Sequence, residues 1–345
     1  MPSYAPLAPV VERHPAEPLE YHVLHRRGRQ PSWVWSLLGA IGAFLGVFLF
    51  AQIVMAAPFL VYFAIRGEDL AEALGSMVDF SDPRPAALAY LMLSLASAIP
   101  VVWAVNRLLN GLRPGWVTSV APRMRWGYFL VCVVLAVVAL GATMLVATIL
   151  PSAGVGAEPS GQLNEWTPRL RDFALIVVLL TPFQAAGEEY LFRGYLTQAM
   201  GSIADSVAGR WVSRVVAVVV PALIFAIFHG LSQSVPVFFD RFAFGIVAGV
   251  LVLVTGGLEA AIAMHVLNNL VAFGLALAFS DLGSALTPTG GSWWMIPTTL
   301  TQSVVYLALA WSVARGMRLS RIADPAVLAR SRGLVYRSPS GDQAR

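Results

Sequence analysis

The chain has 345 residues, of which 57% are hydrophobic and only 12% are charged. Its mean hydropathy of +0.70 excludes a soluble globular protein, because soluble domains carry about a quarter charged residues. The net charge of +4 comes from arginine, since the sequence contains no lysine. Arginine-rich loops are typical of the cytoplasmic side of membrane proteins and indicate no nucleic-acid partner. The single cysteine, Cys132, excludes an internal disulfide.

Apolar runs predict the fold class. A membrane-spanning helix needs about 20 mostly apolar residues, and this criterion predicts an all-α polytopic membrane protein with about eight transmembrane helices. The sixth span is short, and the pattern does not mark the boundary between the fifth and the sixth. The predicted spans are residues 34–65, 85–109, 126–150, 172–196, 215–238, 242–255, 258–279 and 293–314.

The distribution of arginine predicts the topology. The arginine-rich segments precede the first span and follow the second, fourth and eighth spans, whereas the segments on the other side are acidic, mixed or neutral. The positive-inside rule therefore predicts that both termini are cytoplasmic. We expect a cytoplasmic N-terminal tail (1–32), a three-helix N-terminal membrane part (33–150), a membrane core (172–314) and a poorly ordered cytoplasmic C-terminal tail (315–345).

The most unusual stretch, residues 187–193, reads Gly-Glu-Glu-Tyr-Leu-Phe-Arg. It places Glu188, Glu189 and Arg193 directly after a strongly apolar run. Ionisable side chains within a membrane are costly and are functional-site candidates by default. Glu189 and Arg193 are four residues apart and can pair on one face of a helix, whereas Glu188 lies about 100° further round and can point elsewhere. By itself this pair indicates a structural ion pair more than a catalytic one.

Few other polar residues are embedded in the predicted spans. His229 and His265 each lie inside an apolar span, and Asn269 follows His265 by one helical turn, so these two share a face. Phe225, one turn before His229, is expected to pack beside its imidazole. We interpret Asp240 and Glu259, nearer to span ends, as interfacial charges without a role.

Each of these residues has a plain structural explanation, since a single histidine within a span more often joins two helices by a hydrogen bond. The combination of these residues favours a catalytic role over a purely structural one. A carboxylate, two histidines and an amide supply a base and several hydrogen-bond donors, which is what water-mediated hydrolysis requires. All of them follow residue 185, so we predict a polar cavity between the fourth, fifth and seventh helices.

Three motifs carry a family resemblance: Glu188-Glu189-x-x-x-Arg193, Phe225-x-x-x-His229 and His265-x-x-x-Asn269. In order and in separate spans, they resemble those of the CPBP family, the CAAX-processing and bacteriocin-processing (Abi) intramembrane endopeptidases. The resemblance covers residues 172–279 without a departure from the pattern.

The resemblance implies an eight-helix membrane protease that cleaves a membrane-associated or lipidated peptide near the cytoplasmic side. It implies that Glu188 is the general base that activates water, and that His229 binds or polarises this water or the scissile carbonyl. His265 and Asn269 would stabilise the oxyanion, and Glu189 with Arg193 would fix the helix and tune the site.

Members of this family are often described as metalloproteases. The chain has no His-Glu-x-x-His motif, but Glu188, His229 and His265 together match the ligand count of a catalytic zinc. Glu188 would then be a ligand and Glu189 the base. We favour a metal-free glutamate mechanism, with a divalent metal as the alternative.

Two other functions remain open at this stage. A non-enzymatic membrane scaffold or bacteriocin-immunity protein would keep the fold for partner binding, but loss of a motif residue would favour it and none is lost. A proton-coupled transporter would use Glu188 and the histidines as a relay, yet such transporters carry repeats in both halves.

The depth of His229 is a further question, because its distance from Arg214 along a helix puts it near or beyond the bilayer midplane.

Overall fold

A computed structural model describes residues 11–12, 18–28, 33–80, 82–150, 162–229, 233–280, 282–286, 290–331 and 335–336. These residues are mostly helical, which confirms the all-α prediction. The α-helices are α1 (Trp33–Leu45), α2 (Ala51–Ile65), α3 (Leu70–Val78), α4 (Pro85–Ala96), α5 (Ala98–Leu108), α6 (Gly115–Thr118), α7 (Trp126–Ala147), α8 (Pro168–Glu189), α9 (Thr197–Phe228), α10 (Val235–Thr255), α11 (Glu259–Phe279), α12 (Leu282–Leu286), α13 (Met295–Gly316) and α14 (Pro325–Ser331).

Two π-helical segments continue neighbouring α-helices. Gly46–Phe50 joins α1 to α2, and Tyr190–Leu196 joins α8 to α9. A 3₁₀ helix, Tyr21–Arg27, precedes α1. The short strands β1 (Val11–Glu12), β2 (Leu19–Glu20), β3 (Ile322–Ala323) and β4 (Val335–Tyr336) form two small sheets, β1 with β4 and β2 with β3.

The helices that can cross a bilayer expose apolar side chains on their outer surface. Within the described residues, six helical segments are long and apolar enough to cross: Trp33–Ile65, Pro85–Leu108, Trp126–Ala147, Pro168–Phe228, Val235–Thr255 and Glu259–Phe279. Leu130 and Val134 of α7 and Val178 of α8 are more than half exposed, as expected of side chains that face lipid. The chain is therefore an integral membrane protein.

The segment Pro168–Phe228 accounts for two of the predicted spans. It turns back on itself at Gly209, whose φ of 79° lies in the region that glycine adopts without strain. Beyond the turn the two arms are antiparallel. The Thr197 hydroxyl donates to the Ala217 carbonyl at 3.1 Å, and the Ser213 hydroxyl donates to the Gly201 carbonyl at 2.7 Å. Residues 193–214, expected from their arginines to be a loop, are thus mostly helical, and we call residues 168–228 the helical hairpin.

The predicted fifth span, residues 215–238, is wrong at its C-terminal end. Helix α9 ends at Phe228, and α10 begins at Val235, with a proline in its first turn that favours a helix start there. The predicted sixth span therefore starts seven residues earlier than expected, and His229 lies at a helix end and not inside a span.

The predicted eighth span corresponds to α13, which is not among the six segments because Gln302 and several threonines lower its hydropathy. The count of eight spans stays a prediction.

The segments that flank the membrane helices pack together at one end of the bundle. Strand β2 pairs with β3, and the 3₁₀ helix Tyr21–Arg27 lies against the helical hairpin, where a Cβ atom added at Gly201 would be 2.3 Å from the carbonyl oxygen of His22. His22 and His25 are buried. Burial lowers the pKa of His22 to about 4 and that of His25 to about 3, so both rings are neutral at neutral pH.

The C-terminal tail is more ordered than its polar composition predicts. Within it, β3 and α14 are regular, and Ala323 and Leu328 are buried. Pairing with β2 supplies this order, and that pairing is not visible in the tail's own sequence.

Glu259 is not an interfacial charge as expected. Its carboxylate is fully buried and pairs with Arg125 through two side-chain hydrogen bonds, Nε to Oε1 at 2.8 Å and Nη2 to Oε2 at 2.6 Å. Arg125 also donates to the Thr255 carbonyl at 2.9 Å. This ion pair joins the start of α7 to the start of α11, the helix that carries His265.

The Arg125–Glu259 pair generates a stability prediction. We expect Arg125→Met and Glu259→Met each to destabilise the protein by about 3–5 kcal/mol, because each leaves the partner's charge buried and unpaired. The double variant should lose much less than the sum of the two. Thermal unfolding in detergent micelles measures these effects as a double-mutant cycle. Arg84→Gln, which removes the exposed pair with Glu68, is the control and should cost less than about 1 kcal/mol; additive effects of the two buried substitutions would contradict the prediction.

Candidate active site

The site forms where α8 runs into the π-helical segment. Gly187 allows a close approach here, because a Cβ atom at this position would lie 2.2 Å from the carbonyl oxygen of Leu95. The next two residues, Glu188 and Glu189, are 8% and 0% exposed. Tight packing of α8 on the α4–α5 region thus holds both carboxylates inside the bundle.

Arg193 lies in the π-helical segment and is fully buried. Its Nη1 donates to Glu189 Oε1 at 2.9 Å, which confirms the predicted pair. Its guanidinium stacks 4.0 Å above the Phe225 ring and 5.5 Å from the Phe244 ring. The aromatic faces add to the stabilisation that the ion pair gives this cation, while Nε and Nη2 have no hydrogen-bond partner among the described residues. π-Helical turns inside α-helices are frequent at functional sites.

His265 meets both carboxylates. Its Nδ1 lies 2.7 Å from Glu189 Oε1, and its Nε2 lies 3.3 Å from Glu188 Oε2. The two adjacent glutamates were expected to point in different directions, but the imidazole of α11 reaches both. Phe225 and Phe244 flank the ring, with centroid distances of 5.9 and 5.1 Å.

These contacts limit where the protons lie. Glu189 is paired with Arg193, so its carboxylate accepts, and Nδ1 of His265 is the donor. In a neutral imidazole the other nitrogen is then an acceptor, and it faces a second acceptor, Glu188 Oε2. This contact is favourable when a proton lies between the two atoms. Among the described residues neither Glu188 Oε2 nor Glu189 Oε2 accepts a hydrogen bond, and both oxygens are buried, so each carboxylate keeps unused acceptor capacity.

Gln184 is a site residue that the sequence reasoning missed. It is buried, and its Oε1 accepts a hydrogen bond from Asn269 Nδ2 at 2.9 Å. It lies one turn before Glu188, and its side chain interacts with that carboxylate as well. Its position in the sequence could have identified it. Gln184 is an amide in an apolar run and lies four residues before Glu188, so the two side chains share one helix face.

Asn269 and His265 face α8 together, as predicted from their spacing. His265 contacts the glutamates, and Asn269 contacts Gln184 one turn earlier, so α8 and α11 run antiparallel with these side chains between them. The predicted meeting of the fourth and seventh helices is therefore confirmed.

His229 lies at the end of α9 and is exposed. Its Nδ1 is 2.8 Å from the Phe225 carbonyl oxygen, and its ring packs on the Phe225 ring at a centroid distance of 4.3 Å. The predicted packing of Phe225 beside this imidazole is confirmed. Because a carbonyl only accepts, Nδ1 carries the proton, and Nε2 of the neutral ring is an acceptor. Phe225 contacts His229, Arg193 and His265, and so connects the fifth predicted helix to the carboxylates.

The helical hairpin answers the question of depth. Thr197 lies opposite Ala217 and Gly201 opposite Ser213. Closer to the site, Phe225 contacts both His229 and His265, which places His229 near the level of the carboxylates. The sequence estimate counted from Arg214 as if a loop ended there, whereas the turn at Gly209 sets both arms to a common depth.

Asp240, interpreted from sequence as an interfacial charge, is 6% exposed and interacts with Thr299 of α13. This interaction therefore links α10 to α13. Asn268, beside Asn269, accepts from Gln302 Nε2 of α13 at 2.5 Å.

The proposed zinc ligands do not form a three-ligand cluster. Among the residues that the structure describes, no group of three histidine, cysteine, aspartate or glutamate side chains has the geometry to hold a metal ion. Both nitrogens of His265 face carboxylates, and His229 is turned by its bond to Phe225. The side-chain arrangement thus does not fit a Glu188–His229–His265 metal site.

Comparison with known proteins gives one match. Residues 170–271 match the family model described as type II CAAX prenyl endopeptidase, Rce1-like. The matched segment covers less than a third of the chain and contains all six predicted site residues. It supports the predicted resemblance to the CAAX-processing endopeptidases over this segment. The comparisons with curated proteins and with solved structures gave no match.

The different surroundings of the two glutamates predict different effects on stability. We expect Glu189→Gln to destabilise the protein by about 3–5 kcal/mol, because it leaves the buried Arg193 without its ion partner. Glu188→Gln should be neutral or stabilising, since Glu188 Oε2 accepts no hydrogen bond in the described structure and the Nδ1 bond of His265 is unaffected. Thermal unfolding of both variants in the same detergent provides the comparison. Equal losses in the two variants would contradict the division of roles.

Proposed function

We propose that this membrane protein is an intramembrane endopeptidase that hydrolyses peptide bonds of membrane-associated or lipidated peptides. The observation that carries this proposal is the buried group formed by Glu188, His265 and Glu189, with Arg193 holding the second glutamate. The match of residues 170–271 to CAAX prenyl endopeptidases supports the same reaction class. We further propose, from the arginine distribution, that both termini are cytoplasmic.

Glu188 is the proposed general base. It takes a proton from water as the water oxygen attacks the scissile carbonyl carbon, and it later gives this proton to the leaving amine. Of the two carboxylates, Glu188 is the better candidate, because Glu189 Oε1 accepts from Arg193, which holds that carboxylate in its ionised form. A base must take up the proton that it abstracts, and Glu188 has no arginine partner that opposes this.

His229 is proposed to orient the attacking water. The proton on Nδ1 is directed to the Phe225 carbonyl, so Nε2 accepts a hydrogen bond from water. The same tautomer disfavours the alternative in which neutral His229 polarises the scissile carbonyl, since that role needs a donor.

His265 and Asn269 are proposed to stabilise the oxyanion. The side-chain amide of Asn269 has two N–H groups, and only one is engaged by Gln184. His265 becomes a donor at Nε2 when it holds the proton that it shares with Glu188. Fixed donors in a site that excludes water stabilise the developing negative charge. Gln184 and Glu189 orient these donors.

A non-enzymatic scaffold or immunity protein would need none of these hydrogen-bonding arrangements. The transporter alternative would require a polar pathway in both halves of the chain, but the buried histidine–carboxylate group lies in one half. We therefore retain the endopeptidase as the proposed function.

Loss of the base or of the water-orienting residue tests the activity. We expect Glu188→Ala and His229→Ala each to abolish cleavage, because each removes an acceptor that the proposed mechanism requires. The measurement is mass spectrometry of membrane-protein fragments from cells that express the wild type or either variant, with expression and detergent-extracted monodispersity as the folding control. Full activity in both variants would refute the site assignment.

Metal content tests the metal-free mechanism. Because His265 is engaged by two carboxylates, we expect the purified protein to cleave its substrate after prolonged treatment with a chelator. Elemental analysis should find well below one equivalent of zinc. A stoichiometric metal, lost together with activity in Glu188→Ala and His265→Ala, would support the alternative ligand set instead.

A further inference from the structure

Arg241 is a cation within α10 that forms no ion pair among the described residues, although the charge of the adjacent Asp240 carboxylate interacts with it. It lies in the first half of the apolar helix Val235–Thr255. Within the described chain it forms no ion pair, and its buried Nε has no hydrogen-bond partner. An arginine at membrane depth is costly, and such residues usually face a cavity or a partner and mark a functional pathway.

The register between α9 and α10 places Arg241 beside the proposed site. Gly249 packs on Val218, and Gly245 packs on Ala222, where an added Cβ atom would meet the Ala222 Cβ at 2.8 Å. One further turn along the two antiparallel helices sets Arg241 opposite Ala226, three residues before His229. Arg241 is also the cation with the strongest electrostatic effect on His229.

The same face of α10 reaches the carboxylate group. Phe244, three residues after Arg241, packs on His265 at a centroid distance of 5.1 Å and on the guanidinium of Arg193 at 5.5 Å. Residues three apart on a helix are neighbours on its surface. Arg241 therefore lies one turn from the residue that closes the site over His265.

The nearest acid along the chain does not supply the missing partner. Asp240 is adjacent in sequence, and adjacent residues on a helix do not face each other. Its buried carboxylate interacts with the Arg241 charge and with Thr299 of α13, but it forms no ion pair with Arg241 within the described structure. Glu188 and Glu189 are engaged with His265 and Arg193. This leaves Arg241 Nε as a buried donor without an acceptor among the described residues.

We propose that Arg241 binds a carboxylate of the peptide substrate and so sets the distance between that carboxylate and the bond that is cut. The planar guanidinium matches a carboxylate with two parallel hydrogen bonds. The carboxylate is either the substrate's C-terminal group or an acidic side chain close to the scissile bond. This inference rests on the proposed endopeptidase function and adds to it the chemistry of substrate selection.

The test uses the full chain in detergent micelles and a farnesylated, internally quenched peptide in three forms. One form has a free C-terminus and no acidic side chain, the second is its C-terminal amide, and the third is the amide with one glutamate near the scissile bond. We expect the wild type to have a higher kcat/KM for one of the two carboxylate forms than for the neutral amide. Which form is preferred identifies the source of the carboxylate.

The variants assign this preference to Arg241. In Arg241→Gln the ratio of kcat/KM between the preferred and the neutral form should fall by about 10- to 100-fold, the range for a hydrogen bond to a charged group. Arg241→Lys keeps the charge but not the bidentate geometry, and should retain an intermediate ratio. Arg315→Gln is the matched control, because Arg315 stacks on Trp311 near the end of α13, and its ratio should equal that of the wild type.

Two outcomes would overturn the proposal: a wild type that does not discriminate the three peptides, or an Arg241→Gln variant that keeps the full ratio. If the wild type cleaves none of them, fluorescence anisotropy of the same peptides measures which form the protein binds more tightly, and this measurement does not depend on cleavage. Failure of cleavage with an Arg241-dependent binding preference would count against the endopeptidase alone. Cleavage without such a preference would count against Arg241 alone.

Discussion

One oxygen of the Glu189 carboxylate links three parts of the structure. Oε1 accepts from Arg193 Nη1 in the π-helical segment and lies 2.7 Å from His265 Nδ1 of α11, while the glutamate itself belongs to α8. A buried carboxylate is tolerated only when it is paired and hydrogen-bonded. Its two partners therefore have to remain in place, and this requirement fixes the orientation of the His265 ring toward Glu188.

The same requirement explains why two adjacent glutamates differ. Glu189 has its charge balanced by Arg193, which in turn stacks on Phe225 and Phe244. Glu188 has no arginine partner, and its neighbours are the far nitrogen of His265 and the side chain of Gln184. One carboxylate thus holds the site together, and the other keeps the capacity to exchange a proton.

Three arginines of the helix bundle differ in the partners that their guanidinium groups contact. Arg125 is fully engaged by Glu259 and a backbone carbonyl, and Arg193 is engaged by one carboxylate oxygen and two aromatic rings. Arg241 forms no ion pair within the described residues. The presence or absence of a carboxylate within ion-pair distance thus distinguishes the two arginines that hold the structure from the one that we assign to substrate.

The sequence by itself determined the fold class and the helical neighbours of the main polar residues. These features follow from composition and from the 3.6-residue period, as the Glu189–Arg193, Phe225–His229 and His265–Asn269 spacings illustrate.

Only the tertiary structure decided which helices meet. The turn at Gly209, the end of α9 at Phe228, the pairing of β2 with β3 and the burial of Glu259 against Arg125 all depend on contacts between residues distant in sequence. A hydropathy pattern records how apolar a residue is but not which partner it faces. For that reason Gln184 and Arg241 were visible as polar residues in apolar runs, yet their places beside the site emerged only once α8, α9, α10 and α11 were packed together.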